Sequence, residues 1–537
     1  MFLDIEKKRK MNPAAIQDNG AMITYGELTG FCREAIMGLP ERSLIFCLCK
    51  NNIASVAGYV AVMSANCVPL MLSADIDEEL LQALIDKYQP DYVWMPRADA
   101  EPSEDYWQVA HITGTSKEAV AERKAEKERA ILEAKRRAAE KVSTRIGQKV
   151  DVTTKISGEV RFDRYGYDLV RLKSSIEEIE ELARIPSEKE QMEGKKPRLH
   201  PDLALLLTTS GSTGSPKLVR QSRTNVLVNA ASIVDYLEIG EFDRAITTLP
   251  MSYTYGLSIV NSHLLAGAEL LLTDISIMQR DFWDFFQKEK ASSLAGVPYT
   301  YEMLKKLKFM KMLLPSLKYM TQAGGRLRPE LHKEFAEFAT LTRKRFYVMY
   351  GQTEATARMA YLPYVHAEKK VGSIGVAIPG GALFLEDENG EQITEPHKVG
   401  ELVYHGRNVT YGYAEELADL AKGDENDGVL HTGDMAEMDE DGYFFITGRK
   451  KRFLKIYGNR VSLDECEELI ENHFSVECAC TGEDDEMRIF VTGKIGEAVV
   501  VDFIAGKTGL NPKAFTVKNV PTIPRSGSGK KAYGELQ

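Results

Sequence analysis

No apolar run in the 537 residues approaches the roughly 18 to 20 positions that a membrane-spanning helix requires. The N-terminus, MFLDIEKKRKMNPAAIQ, carries charges where a secretory leader needs an apolar stretch, so a soluble cytoplasmic protein with no membrane span is expected. Positive charge is also short. The formal net charge is -11, which disfavours nucleic acid or an anionic membrane as the main partner. Basic residues are therefore expected to act locally. Cysteine is sparse: Cys32, Cys47, Cys49, Cys67, Cys466, Cys478 and Cys480 include no C-x-x-C pair, and no histidine stands at metal-ligand spacing from them. The two C-x-C pairs fall in strand-like runs, which puts each pair of thiols on one face and predicts core packing.

A chain of this length that is 44% hydrophobic can bury several cores, so at least two domains are expected. Strand-like runs alternate with helical ones: SLIFCLC near 43–49, a helix at DEELLQALIDKY opened by Asp75, DYVWM at 91–95 and LALLL at 203–207. Such alternation predicts parallel sheets with crossover helices. One segment breaks it. From about 112 to 160 the chain is Ala-rich and densely charged, with little to bury, and is expected to be an inserted solvated helix with a short strand-like tail. It could be a partner-binding or oligomerising arm, or a surface insertion without chemistry. A short helix and polar linker are expected at 174–201.

LLLTTSGSTGSPKLVRQS, residues 205 to 222, runs from an aliphatic strand into a loop of Gly, Ser and Thr and then a lysine. Unhindered backbone N–H groups and hydroxyl donors can wrap an anionic oxygen, and Lys217 adds a mobile positive charge. This is phosphate chemistry. The G-x-x-x-x-G-K-[ST] spacing is absent both here and at the later PRSGSGKKA, so it is not a P-loop, and no kinase Asp–Asn pattern accompanies it.

TTSGSTGSPK resembles the phosphate loop of the adenylate-forming superfamily, which includes acyl-CoA synthetases, adenylation domains and luciferases. Further blocks stand in that family's order: TYGEL at 24–28, LPMSYTYGL at 249–257, TQAGGRL at 321–327, VMYGQTEAT at 348–356, GELVYHG at 400–406, HTGDMAEMDEDGYFFITGRKKRFLKIYGNRVSLDECE at 431–467 and PRSGSGK at 524–530. The resemblance implies an α/β fold: a large multi-layer N-terminal domain of doubly wound sheets, 1–450, with a barrel-like portion before a hinge, and a small mobile α+β domain, 451–537.

It also implies roles. Thr208, Thr209, Ser210, Gly211, Ser212, Thr213, Gly214 and Lys217 would hold the phosphates of ATP. Thr353 would contact the α-phosphate and Glu354 would hold Mg²⁺, jobs that suit a hydroxyl and a hard carboxylate oxygen. Tyr350, Gly351, Gln352, Gly324 and Gly325 would enclose the adenine, with Tyr350 offering a flat face and the glycines close backbone approach. Asp434 would accept the ribose hydroxyls and Arg449 would reach the same sugar. Lys451 matches the hinge, Lys530 the lysine that bridges carboxylate and α-phosphate, and Lys455 is a further catalytic candidate; Lys531 is expected to be the solvated lysine of the pair. Ser462 with Glu465 would form a capping box.

No carboxylate stands in LPMSYTYGLS to pair with an ammonium, which disfavours α-amino acids. Tyr253, Tyr255, Tyr299 and Tyr301 suggest instead an aromatic pocket with hydroxyl handles for a fatty, aryl or small organic acid, or simply core. The implied reaction is ATP-dependent formation of an acyl-adenylate, then capture by a thiol, that of coenzyme A or of carrier-protein pantetheine; an amine acceptor and a non-catalytic nucleotide binder are the alternatives. The segment after the hinge is short for the family, which leaves the acceptor open, as the sequence leaves homo-oligomer formation open.

Replacing residues 115–157 by a Gly/Ser linker is expected to leave soluble protein that still releases pyrophosphate, because the segment has little apolar surface to contribute to a core. Size-exclusion chromatography and a pyrophosphate assay check this; aggregation or lost release would mark the segment as structural or catalytic.

Overall fold

The computed structural model describes residues 1–96, 158–164, 167–172, 199–208, 217–450, 452–456, 459–483, 485–508, 510–525 and 531–536. The inserted helix expected within 112–157 and most of the helix and linker expected at 174–201 lie outside them.

Two large sheets form the main body. In the nine-stranded one, Arg244–Ile246, Glu269–Leu272, Ser293–Gly296, Tyr319–Gln322 and Arg345–Tyr350 run parallel. In the eight-stranded one, Leu44–Cys49, Val68–Ser73, Tyr92–Pro96 and Leu203–Thr208 do the same. The expected parallel sheets with crossover helices are present, edged by antiparallel strands. One edge was not foreseen beyond a short tail: Gly158–Arg164 and Tyr167–Leu172 form a hairpin that extends the sheet from Tyr92–Pro96.

Helices Ile53–Ser64, Arg223–Leu237 and Thr254–Ala266 join the two sheets into the largest core. Ile53 to Met63 are all buried, as befits a helix that is apolar all round. Polar caps fix where the first two of these helices start. The Asn52 side chain accepts from Ser55 N at 2.9 Å, and Ser222 and Asn225 make a reciprocal capping box at 3.0 and 2.7 Å. The helix Glu78–Tyr88 is capped by Asp77, whose side chain accepts from Leu80 N at the third helical position, rather than by Asp75, which stands two residues before the cap.

The barrel-like portion expected before 450 is a five-stranded antiparallel sheet that includes Gly400–Gly406, Val429–Met438 and Phe444–Arg449. All seven cysteines are buried free thiols, including the two C-x-C pairs expected in the core.

Residues from Leu454 onward have a separate core, built by the helices Leu463–Phe474 and Glu497–Thr508 on strands Cys478–Glu483, Glu486–Thr492 and Phe515–Val520. At its edge the buried Glu467 accepts from Arg452 Nη2 at 2.7 Å and from Lys531 Nζ at 2.8 Å; Lys531 also donates to Glu471 at 2.9 Å and to the Cys478 carbonyl at 2.5 Å. Lys531 is therefore no solvated tail lysine. Its ammonium compensates a buried carboxylate, a demand that local sequence does not display.

Lys531→Ala is expected to lower the stability of the C-terminal portion by about 3 kcal/mol, because it leaves the buried Glu467 with Arg452 as its one cation and takes the ammonium from Glu471. Chemical denaturation of the full chain, followed by hydrogen exchange in residues 463–492, measures it; unchanged protection there would show that Arg452 alone suffices.

Candidate functional site

Three strands of the two sheets deliver the predicted site residues at their carboxyl ends, where ligands of open parallel sheets bind. Leu203–Thr208 ends on Thr208, Tyr319–Gln322 runs into Gly324 and Gly325, and Arg345–Tyr350 runs into Gly351, Gln352 and Thr353. Thr209, Ser210, Gly211, Ser212, Thr213 and Gly214 lie outside the described residues, as do Lys451 and Lys530. Lys455 belongs to strand Phe453–Ile456, and only its backbone is described.

Tyr350, Gln352, Asp434 and Arg449 meet. Asp434 is 3% exposed; its Oδ2 accepts from the Tyr350 hydroxyl and from Gln352 Nε2 at 3.0 Å, and its Oδ1 pairs with Arg449 Nε at 3.0 Å. Gln352 also donates to Tyr350 Oη at 3.1 Å and to the Thr432 carbonyl at 3.0 Å. Burial and the Asp434 charge push the Tyr350 phenol well above its ordinary pKa, so it stays a donor. A carboxylate held on one oxygen by two donors and on the other by one keeps an acceptor lobe for a diol. The turn beneath it is braced from the next strand: Thr432 Oγ1 donates to the Leu402 carbonyl and accepts from Asp434 N, while Glu401 accepts from Gly433 N at 3.2 Å and Lys450 Nζ at 2.5 Å.

Thr353 and Glu354 occupy a single 3-10 turn that ends in a strained bend. Thr356 has φ 66° and ψ -58°, and Ala357 N donates to the Ala355 carbonyl at 2.7 Å, a γ-turn of the rare positive-φ kind on a β-branched residue. Neighbouring side chains hold it. Thr356 Oγ1 donates to the Asn408 carbonyl at 2.7 Å, Asn408 Nδ2 donates to the Ala355 carbonyl at 2.9 Å, and Thr254 Oγ1 donates to the Thr356 carbonyl. The bend brings the Ala357 carbonyl to 1.8 Å from where a Cβ on Gly351 would be, so only glycine fits there.

Among the described residues the Thr353 hydroxyl makes no hydrogen bond. Glu354 Oε1 accepts from the Tyr413 hydroxyl at 2.7 Å, while Oε2 accepts none from them. No group of three His, Cys, Asp or Glu side chains among the described residues could hold a metal by itself. A lone carboxylate oxygen suits Mg²⁺, which keeps waters and takes its remaining ligands from phosphates. Lys217 stands close by, 2.5 Å from Glu415 Oε1 and 5.6 Å from the centre of the Tyr413 ring.

The tyrosines divide. Tyr253 Oη comes to 2.8 Å from where a Cβ on Gly324 would sit, and Gly324 has φ 84°. Tyr299 is exposed, with the Arg525 guanidinium 5.7 Å from its ring. Tyr255 and Tyr301 are core residues whose hydroxyls bond Thr321 Oγ1 at 2.8 Å and the Thr321 carbonyl at 2.9 Å. Their hydroxyls are spent inside the fold, so the expected four handles reduce to those of Tyr253 and Tyr299.

Tyr413, Arg220 and Glu401 had no place in the sequence-based list. A signal for Arg220 existed: an arginine inside the otherwise buried strand LVRQS must find acceptors.

The model of the family described as AMP-binding enzyme matches residues 4–414. Indoleacetate–CoA ligase of Aromatoleum aromaticum is 30% identical over 322 residues, 58% of this chain and 60% of that protein. Feruloyl-CoA synthase of Amycolatopsis sp is 28% identical over 63% of this chain and 70% of its own length. The chain thus spans some 60–70% of the length of these relatives. Among solved structures, o-succinylbenzoate CoA synthetase of Bacillus subtilis with its acyl-adenylate intermediate superposes with a TM-score of 0.68 at 18% identity, covering 98% of this chain and 95% of that one. ATP-bound MatB of Rhodopseudomonas palustris gives 0.67 at 20% identity, covering 100% and 98%. At these identities the likeness establishes the fold.

Gly351→Ala is expected to cost about 2 kcal/mol, since backbone rather than a yielding side chain blocks the added methyl. Gly325→Ala, which meets only the Pro298 ring, Cγ at 3.2 Å and Cδ at 3.5 Å, is expected to cost under about 1 kcal/mol. Urea denaturation of both variants compares them; equal losses would mean that the γ-turn yields freely.

Proposed function

This chain belongs to the AMP-binding enzyme family, and on that premise we propose that it is an AMP-forming acid–thiol ligase. The observation that carries the proposal is the junction of the Tyr350–Gln352–Asp434–Arg449 cluster with Thr353, Glu354 and Lys217 at the strand ends. A ribose diol bonds Asp434 and Arg449, adenine lies between Tyr350 and the Gly324–Gly325 backbone, and the phosphates extend toward Lys217 and the 209–214 loop.

In the first step a carboxylate oxygen of the acid attacks the α-phosphorus, the α–β bridging bond breaks, and pyrophosphate leaves. Negative charge grows on the α-phosphoryl oxygens, where the Thr353 hydroxyl and the Lys530 ammonium donate. Mg²⁺, held by Glu354, neutralises phosphate charge when bound. In the second step the thiolate sulfur of coenzyme A, its proton given up to solvent, attacks the acyl carbonyl carbon and AMP departs with the bonding pair. Residues 451–537 form a separate domain that turns about Lys451 between the steps and withdraws Lys530. The acid is fatty, aryl or a small organic acid, contacted by Tyr253 and Tyr299, and the enzyme works in the cytoplasm, where ATP and coenzyme A meet. Among the described residues no helix is long and apolar enough to cross a membrane.

A pyrophosphate-release screen over fatty, aryl and hydroxy acids, with and without coenzyme A, tests this. Release with one acid class and a thioester when coenzyme A is present is expected. Release without thioester formation would transfer the acceptor role to a carrier-protein pantetheine or an amine, and no release with any acid would reduce the chain to a nucleotide binder. Lys530→Ala is expected to slow acyl-adenylate formation by roughly 10² to 10³ while leaving thioester formation from supplied acyl-adenylate near the wild-type rate. Lys451→Pro should do the reverse, by fixing φ at the pivot. Equal losses in both half-reactions would count against these roles.

A further inference from the structure

Arg220 is fully buried in the strand Leu218–Ser222 that follows the phosphate loop, and every bond it makes goes to one segment of the chain. Its Nε donates to the Tyr413 carbonyl at 3.0 Å, Nη1 to the carbonyls of Lys422 and Gly423 at 2.6 and 3.0 Å, and Nη2 to the Tyr411 carbonyl at 2.6 Å and to Glu425. Backbone pairing of Tyr413 with Val219 and Ala414 with Leu218 adds to this. The backbone on both sides of Tyr413 is thereby fixed. From it, the Tyr413 side chain reaches over to Glu354 Oε1 at 2.7 Å, and Glu415 reaches Lys217.

We infer that Tyr413 is a positioning residue for the metal bound with the nucleotide. Its hydroxyl holds Oε1 of Glu354, which restrains the carboxylate and leaves Oε2, without a donor among the described residues, as the single ligand atom. The Glu354 backbone is immobilised separately, its carbonyl accepting from Thr410 N and Thr410 Oγ1, both at 2.9 Å. Backbone and one carboxylate oxygen are thus both tied to the 410–413 stretch, and only the second oxygen is left for a ligand. A carboxylate that binds an octahedral, reluctantly dehydrated cation through one oxygen gains from being held in one rotamer before the cation arrives, because that ordering cost is already met in the folded chain. The ring has a second contact, with Lys217 5.6 Å from its centre. The Lys217–Glu415 pair is half exposed on both sides, so the lysine can exchange that partner for a phosphate at small cost.

The inference rests on the proposed ATP chemistry, and its test separates the two. Mn²⁺ binding is titrated by electron paramagnetic resonance in the presence of α,β-methylene-ATP for wild type, Tyr413→Phe and Glu354→Gln, with thermal melts to confirm folding. Tyr413→Phe should weaken Mn²⁺ about tenfold, the size of one hydrogen bond to a charged group, and leave metal-free nucleotide affinity within about twofold. Pyrophosphate release by the same variant should need about tenfold more Mg²⁺ for half-maximal rate and return to within about threefold of wild type at saturation. Wild-type Mn²⁺ affinity in Tyr413→Phe, with affinity lost in Glu354→Gln, would overturn the inference while leaving the ATP chemistry standing. A rate loss in Tyr413→Phe that added metal cannot restore would also overturn it. If the wild type itself binds no Mn²⁺ with the nucleotide, the proposed activity falls and the inference with it.

Discussion

The arrangement of the site depends on a charge that the fold has buried completely. Arg220 is 0% exposed, and a guanidinium in that position is tolerable only when its N–H groups are met. Four backbone carbonyls and Glu425 meet them, all from residues 411–425. The consequence is topological: a segment almost two hundred residues further along is fixed to the edge of the eight-stranded sheet, beside the phosphate loop. Tyr413 and Glu415 ride on that segment, so Glu354, at the end of the nine-stranded sheet, and Lys217, on the eight-stranded sheet, are brought within reach of one short strand. Replacing the five bonds by apolar packing would satisfy the core equally well. It would not fix the register of 411–425 against Arg220, which carbonyl-by-carbonyl recognition does.

Strain is stored next to this clamp. Thr356 would avoid its positive φ if the chain could relax, yet Thr254, Asn408 and the Ala355–Ala357 hydrogen bond hold it there. Its effect is to reverse the chain directly after Glu354 and send Arg358 back into the interior, where the guanidinium lies 5.0 Å from the Tyr255 ring. Thr353 and Glu354 are left on a short protruding turn, and Gly351 is small enough to let the returning chain pass. The bend and the glycine are therefore one feature.

Local motifs were legible because backbone proximity enforces them. Tyr350 and Gln352 come from one strand end, and their partner Asp434 stands in a block that could be matched by residue type and order. The parallel sheets followed from the alternation of strand-like and helical runs. What stayed hidden were contacts closed across the chain by burial. Lys531 looked like one more lysine of a Gly/Ser-rich tail until the fold set Glu467 beside it; the hydroxyls of Tyr255 and Tyr301 looked available until Thr321 took both. Of the hairpin Gly158–Arg164 and Tyr167–Leu172 only a short strand-like tail was legible, because the alternating EVRFD stands beside a densely charged insertion. Its strand character comes from pairing with Tyr92–Pro96 rather than from a run of its own.

The two hydrophobic cores that flank residue 451 share no member, and two of the contacts between the two sides among the described residues are polar and accessible. Arg326 meets Glu468 at 2.7 Å with both side chains close to half exposed, and Arg525 lies over the exposed face of Tyr299. An exposed ion pair contributes about 0–1 kcal/mol, and a cation over an exposed ring about 0.5–1 kcal/mol. Contacts of that size orient two bodies without locking them, whereas the charges that hold the C-terminal portion together, Arg452 and Lys531 on Glu467, are turned inward and stay satisfied whatever the orientation. A domain whose internal polar network is closed and whose outward contacts are weak can change its placement without first breaking its own structure. The proposed two-step cycle asks for that property, and the buried Glu467 meets it by taking both its cations, Arg452 and Lys531, from its own side of residue 451.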